Sequence, residues 1–513
     1  MSTRERPNVV YILTDDQRAD LLGCAGHPVV ETPTLDRLAG DGVRFENAYC
    51  TSPLCTPSRT SHYLGQWERR HGVNFNSGSA VTRETWERSF PMRLRDAGYF
   101  TGWVGKNHVP VGAGGYDSGA IEDSFDYWYG NHNHTRFYPK EQARGTPEIY
   151  GNATADTQAE VFEEGIEAFL RPDGDDTAAF REACAEPLPS RPDDRPFCLC
   201  ITFNLPHGAG TGSMQLRPSD PDRYTDRYRD RFEELPVPET FLGDWGPDAE
   251  KLPPHVYDGD WIHQYDYVKG TDTLRERLIR QCQTVSGIDR VVGRIRELLT
   301  ELGEAGNTVV VFSTDHGLML GEHGLGGKGF LYEPAVNVPL IVYDPRAPES
   351  GRGRVRQELV AVPDLAPTVL DLADVDPPGT MQGRSLRPLL HGRDTDWRDE
   401  LFLEQLFDNQ HYPMSEAVRT REWKYVRYFD RTPAPGDGPP WGSLEPYSER
   451  LQSTFADEDP VYEELYHLAS DPHEEENVAY GSEYAGTLAE FRNRADRLAE
   501  QRYEGPPETV PVE

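Results

Sequence analysis

The sequence predicts an α/β protein, a parallel sheet whose strands are buried on both faces, followed by a smaller α+β domain. Three observations carry this: four continuous apolar runs that each end in polar residues, helical periodicity between them, and a change of composition near His391. The expected division is residues 1–392 for the large domain and 393–513 for the small one.

Asn8-Val9-Val10-Tyr11-Ile12-Leu13 is continuous and β-branched, as expected of a strand buried on both faces, and stops at Thr14-Asp15-Asp16-Gln17. Thr32-Pro33 offers a cap and first position for a short helix carrying Leu35 and Leu38, with Gly40 at its end. Phe100-Thr101-Gly102-Trp103-Val104 leads into Gly105-Lys106-Asn107-His108, and Phe197-Cys198-Leu199-Cys200-Ile201-Thr202-Phe203 leads into Asn204-Leu205-Pro206-His207. From Thr273 to Leu302 the apolar positions Leu274, Leu278, Val285, Ile288, Val292, Ile295 and Leu298 recur at helical spacing. The fourth run, Thr308-Val309-Val310-Val311-Phe312, leads into Ser313-Thr314-Asp315-His316-Gly317. Open α/β sheets hold ligands beyond the carboxyl ends of their strands, so these four polar tails are expected in one crevice.

Asp364 to Leu372 reads as another short helix, and Gln382 to Leu386 closes the large domain. Beyond it, Leu401-Phe402-Leu403 and Trp423 to Tyr428 read as strands, and Tyr484 to Tyr503 as a helix. Two segments rich in Pro, Gly and Asp, residues 208–260 and 430–460, are too long for simple connectors and are expected to be loops over the site. Asn131-His132-Asn133-His134 reads as a solvated loop, with a substrate-pocket wall as the alternative.

A chain of 513 residues with 36% hydrophobic content supports a real core. Its formal charge of -35 argues against nucleic acid as a partner. Only six lysines stand among 52 basic residues, a scarcity that resembles proteins of halophiles. No apolar stretch reads as a secretory signal or a membrane span, and seven scattered cysteines do not read as a disulfide framework, so the expectation is a cytoplasmic protein without a membrane partner. Cys198 and Cys200 share one face of their strand and read as core.

Asp15 and Asp16 on one strand end, with Asp315 and His316 on another, form an oxygen-rich set with one imidazole. Such a set suits calcium, magnesium or manganese better than zinc. Paired acids beside a strand also serve as helix caps, and that reading stays open here. Lys106 and Lys328 offer cations to an anionic substrate. His108 and His207 offer imidazoles that titrate near working pH.

Ser52-Pro53-Leu54-Cys55-Thr56-Pro57-Ser58-Arg59 holds Cys55 in a C-x-P-S-R frame. That frame, Gly105-Lys106-Asn107-His108 as G-K-x-H, the glycine-rich lysine segment Glu322 to Gly329, and Glu464-Leu465-Tyr466 with Asp471-Pro472 together resemble the sulfatase family from Asn8 to about Asn477. The resemblance implies an alkaline phosphatase-like α/β/α sandwich with a mixed, mostly parallel sheet. It implies that a formylglycine-generating enzyme converts Cys55 to formylglycine, an aldehyde whose hydrate supplies the attacking oxygen. It further implies a divalent metal, calcium by preference and manganese or magnesium otherwise, held by Asp15, Asp16, Asp315, His316 and the oxygen derived from Cys55.

By the same resemblance Arg59 holds the hydrate, Lys106 and Lys328 meet the sulfate oxygens, His108 takes a proton as sulfate is expelled, and His207 with Lys328 faces the leaving alcohol. The implied reaction is hydrolysis of a sulfate monoester of a sugar, an aryl alcohol or choline. Hydrolysis of a phosphonate or phosphate ester on the same fold is the alternative, favoured by His316 where many members carry asparagine. A non-catalytic acidic binding protein is a third class. Two departures stand out: His62-Tyr63-Leu64-Gly65 keeps only the glycine of the usual segment after Arg59, and Val109-Pro110 replaces the usual Leu-Gly after His108.

Overall fold

The computed structural model describes residues 6–75, 78–142, 147–172, 174–209, 214, 216–243, 265–393, 395–406, 414–429, 455, 458–503 and 507–512. Its strands in the large sheet are β1 (Asn8–Asp15), β2 (Val43–Phe45), β3 (Phe100–Asn107), β4 (Tyr127–His132), β5 (Phe197–Pro206), β6 (Thr308–Thr314), β7 (Leu340–Tyr343) and β8 (Arg354–Arg356). They lie in the order β8-β2-β7-β6-β1-β5-β3-β4. The five strands from β6 to β4 are mutually parallel, whereas β7 runs antiparallel to both its neighbours. The sheet is mostly parallel, as the apolar runs predict, and mixed, as the resemblance implies.

Alternation along the strands divides the core. Val10, Ile12, Leu199, Ile201, Val310 and Phe312 pack on one face against helices α1 (Pro33–Asp41), α4 (Gln158–Leu170) and α5 (Thr271–Glu301). Val9, Tyr11, Leu13, Cys198, Cys200, Val309 and Val311 pack on the other, against α2 (Cys55–Leu64), α3 (Phe90–Asp96) and α6 (Leu365–Leu372). Cys198 and Cys200 are core residues on one face, and every apolar position that marked α5 in the sequence is buried.

Helix α1 differs from its expected ends. Thr32 makes no capping bond; its hydroxyl donates to Asp36 Oδ1 at 2.9 Å and accepts from the Gly23 amide at 2.9 Å. The free amides of Thr34 and Leu35 are met instead by the Asp289 carboxylate of α5, at 3.0 and 2.8 Å. The helix runs to Asp41, one residue beyond Gly40.

The smaller sheet contains β9 (Glu400–Gln405), β10 (Met414–Thr420), β11 (Trp423–Phe429) and β12 (Tyr462–His467), antiparallel in chain order. Helix α7 (Ala485–Tyr503) packs Phe491, Ala495 and Leu498 into the same core as Phe402, Val418 and Tyr425. Of the two long segments expected over the site, residues 210–213, 215 and 244–260 of the first and 430–454 and 456–457 of the second lie outside the described residues. Among the described residues no helix is long and apolar enough to cross a membrane.

Candidate active site

Five adjacent parallel strands deliver their carboxyl ends to one place. Register pairs Thr14 of β1 with Thr314 of β6, so Asp15 and Asp315 emerge side by side. On the other flank Asp15 pairs with Pro206 of β5, Gly105 of β3 pairs with Thr202, and Asn107 pairs with His132 of β4. The strands run two or three residues past the apolar runs, so Asp15, Lys106 and Asn204 are themselves strand residues. Asp16 turns the chain with φ +62°, a left-handed conformation that aspartate tolerates better than most residues.

Cys55 is the first residue of α2, fully buried, and its thiol points into the acidic cluster. Sγ lies 3.7 Å from Asp15 Oδ1, 3.3 Å from His316 Nε2 and 3.0 Å from Lys328 Nζ. One helical turn later, Arg59 donates from Nε to Asp315 Oδ2 at 2.8 Å and from Nη2 to Asp15 Oδ2 at 3.1 Å. It also donates to the carbonyls of Thr14 and Phe203, each at 3.2 Å. These bonds make Arg59 a clamp on the two carboxylates beside Cys55.

Lys106 Nζ pairs with Asp15 Oδ2, and Lys328 Nζ donates to Asp16 Oδ1 at 2.8 Å. Both arms need glycine beside them. A Cβ on Gly105, at φ +104°, meets Thr202 O at 2.3 Å, and one on Gly327, at φ +86°, meets the Tyr265 ring at 2.5 Å. His316 Nδ1 lies 2.9 Å from Gly317 O, and its amide donates to Asp315 Oδ1 at 2.9 Å.

Charge decides the protonation of this cluster. Burial raises the Asp15 carboxyl, but Lys106, His207, Arg59 and Lys328 together hold it well below the usual carboxylate range. Burial lowers Lys328, and Asp16, Cys55, Asp15 and Asp315 more than reverse it, so the ammonium persists. Burial and the Lys328 ammonium lower His316, yet Asp315 and Cys55 bring it up to about 9. His108 and His207 go the other way: burial, then Lys106 for His108 and Lys328 for His207, push both well below the usual imidazole range.

Two ligand-like sets overlap on Asp15. Donor atoms of Asp15, Cys55, Asp315 and His316 lie within 4.8 Å of one another, as do those of Asp15, Asp16 and His207. A cation with ligand bonds of about 2.3–2.6 Å spans such a set. That the Lys328 ammonium already rests against Asp16 and Cys55 shows the cluster's demand for positive charge. The residues therefore fit a hard divalent ion.

All the predicted residues come together here. His207 Nε2 is 3.9 Å from Asp16 Oδ2, and His108 is buried with an Nδ1 that has no hydrogen-bond partner among the described residues. The expectation of a solvated loop at His132 and His134 is corrected. His132 ends β4, is buried, and lies 2.6 Å from Glu122 Oε1 and 3.0 Å from Asn107 Nδ2. His134 turns into the site, 3.4 Å from Lys106 Nζ and 3.2 Å from Asn204 Oδ1. For His134 the alternative reading, a pocket wall, holds; the loop was favoured because β4 carries too few β-branched residues to announce a strand, and Asn204 stood in the polar tail of its run without an assigned role.

A family profile described as Sulfatase matches residues 7–375, and one described as N-sulphoglucosamine sulphohydrolase, C-terminal, matches residues 321–434. An arylsulfatase of Clostridium perfringens is 28% identical over 475 residues, covering 87% of this chain and 92% of its own. An N-acetylglucosamine-6-O-sulfatase of Bacteroides thetaiotaomicron is 25% identical, covering 98% of this chain and 88% of its own. Among solved structures, a phosphonate monoester hydrolase of Agrobacterium radiobacter superposes with a TM-score of 0.70 at 21% identity, covering 97% of this chain and 96% of its own, a likeness of fold.

Proposed function

The chain belongs to the sulfatase family and is a sulfuric ester hydrolase, and from that premise we propose that it acts through a formylglycine made from Cys55 and a bound calcium ion on a sulfated sugar. The observation that carries this reading is the meeting of Cys55 with Asp15, His316 and Lys328 within 3.7 Å. When present, the hydrated aldehyde supplies the attacking oxygen and the metal lowers the cost of its negative charge.

The residues of this chain do the rest. Asp15, Asp16, Asp315 and His316 hold the cation, with manganese or magnesium as the alternatives to calcium, and Arg59 fixes the spacing of Asp15 and Asp315. Lys106 and Lys328 neutralise charge on the sulfate oxygens as the ester bond breaks. His108 accepts a proton in the step that frees sulfate, and His207 donates one to the departing alcohol. A formylglycine-generating enzyme is the partner required for maturation. The sugar assignment is supported by the relative that acts on N-acetylglucosamine 6-sulfate and by the glucosamine-related profile over residues 321–434. All seven cysteines are free, which supports a reducing compartment such as the cytoplasm.

The test compares kcat/KM for an aryl sulfate, a 6-O-sulfated N-acetylglucosamine and an aryl phosphonate on the calcium-loaded enzyme. The sulfates are expected to lead, the sugar sulfate with the lowest KM. A large preference for the phosphonate rejects the reading in favour of phosphonate ester hydrolysis.

A further inference from the structure

His134 stands between the two arms of the site. Its Nδ1 is 3.4 Å from Lys106 Nζ and 3.2 Å from the side-chain amide of Asn204, whose other end is 3.4 Å from His207 Nδ1. Its ring stacks on that of His207 with centroids 4.7 Å apart, and lies 4.9 Å from that of His108. Lys106, His134, Asn204 and His207 thus form a continuous polar chain across the ends of β3, the turn after β4, and β5.

The chain is held from outside. The backbone N–H of Asn204 donates to Gln158 Oε1 at 2.9 Å, while Gln158 Nε2 donates to the carbonyls of Thr135 and Arg136 at 2.8 and 3.0 Å. One side chain at the start of α4 therefore ties the end of β5 to the turn that carries His134. Asn204 is itself buried.

Hydrogen-bond polarity follows from Lys106. An ammonium is a donor only, so the His134 Nδ1 that faces it must accept. The oxygen and nitrogen of a carboxamide exchange places by a half-turn. The arrangement that follows has the Asn204 NH₂ sharing with Lys106 the one lone pair of His134 Nδ1, while the Asn204 oxygen accepts from the Nδ1–H of His207. His207 then presents Nε2, the edge that faces Asp16, towards the reacting atoms.

We propose that His134 and Asn204 are positioning residues that couple Lys106 to His207, fixing the His207 ring so that the proton given to the departing alcohol leaves from Nε2. This rests on the reading of His207 as general acid. In that step sulfur gains a bond to the attacking oxygen and loses its bond to the ester oxygen, the alcohol oxygen takes the Nε2 proton that the ring carries as an imidazolium while the anionic ester is bound beside it, the Nδ1 proton stays on its bond to Asn204, and the neutral ring regains a proton from solvent before the next turnover.

The test uses two leaving groups. A nitrophenolate departs without protonation, whereas a sugar or alkyl alkoxide does not, so an acid-positioning defect appears only on the second. Asn204→Ala is expected to lower kcat on the alkyl sulfate by about tenfold or more, with KM within about twofold and nitrophenyl sulfate turnover within about threefold. Asn204→Asp, which keeps an acceptor for Nδ1–H, is expected to recover part of that loss. His134→Ala is expected to act in the same direction, more weakly. Thermal melting of each variant reports its folding. Equal losses on both esters for Asn204→Ala, or no recovery in Asn204→Asp when both variants are folded, overturn the relay. His207→Ala separates the two layers: if it shows the leaving-group dependence and Asn204→Ala does not, the relay alone fails, and if it shows none, the general-acid reading fails and takes the relay with it.

Discussion

The ammonium of Lys328 lies 3.0 Å from the sulfur of Cys55, although 273 residues separate them in the chain. The two meet because Gly329, next to the lysine, donates its amide to Pro53 O at 3.1 Å, and because Leu54 and Phe330 share one apolar cluster. A buried cation beside the reacting centre serves a transition state more than a ground state. Lys328→Met is expected to lower kcat by about 10²–10³ with a smaller change in KM. Steady-state kinetics on nitrophenyl sulfate checks this, and an unchanged kcat refutes it.

Metal binding is expected to depend on pH through His316. In the metal-free protein this imidazole, lowered by burial and Lys328 but raised further by Asp315 and Cys55, keeps its proton up to about pH 9. A ligand must be neutral, so calcium has to displace that proton, and affinity should climb about tenfold per pH unit towards that value. Titration calorimetry at pH 6, 7 and 8 in buffers of different ionisation enthalpy reads both the affinity and the released proton. The sign for metal-free stability is opposite. A folded pKa of about 9 against 6.5 gives stabilisation that is complete below pH 6.5 and lost as pH rises through 9.

The small sheet braces the lysine arm. Lys424 of β11, fully buried, lies 2.8 Å from Glu474 Oε1 and 3.2 Å from Glu333 Oε1, while Tyr332 donates to Glu464 of β12 at 2.9 Å. Removing one member of a buried ion cluster leaves the others uncompensated. Lys424→Met is expected to cost about 3–5 kcal/mol of stability in urea denaturation, and a loss under about 1 kcal/mol contradicts the bracing role.

A net charge of -35 sets up self-repulsion that salt relieves. Melting temperature is expected to rise between 0.1 and about 1 M KCl, where the screening length falls from about 10 to about 3 Å. A melting temperature that falls with salt removes the halophile resemblance.

The four strands that carry the site were legible because strands buried on both faces read as continuous apolar runs, and their polar tails then named Asp15, Lys106, His207 and Asp315. What stayed hidden was hidden by tertiary context. Strand β4 mixes aromatic, glycine and polar residues, so it did not read as a strand, and the histidines at its end read first as a solvated loop and only alternatively as a pocket wall. Strands β10 and β12 carry Glu416, Arg419, Glu463 and Glu464 into buried positions. There Arg427 Nε bonds Glu416 at 2.7 Å and Tyr428 bonds Glu464 at 2.9 Å, pairings that no local pattern announces. The cap of α1 comes from Asp289, more than 250 residues away, so Thr32 looked sufficient when it was not.

Mass spectrometry of the peptide containing Cys55, taken from enzyme whose turnover has been measured, tests the central claim most directly. The account predicts an aldehyde at position 55 in a fraction that rises and falls with specific activity across preparations. Full sulfate ester turnover by protein carrying only the unmodified thiol there contradicts it.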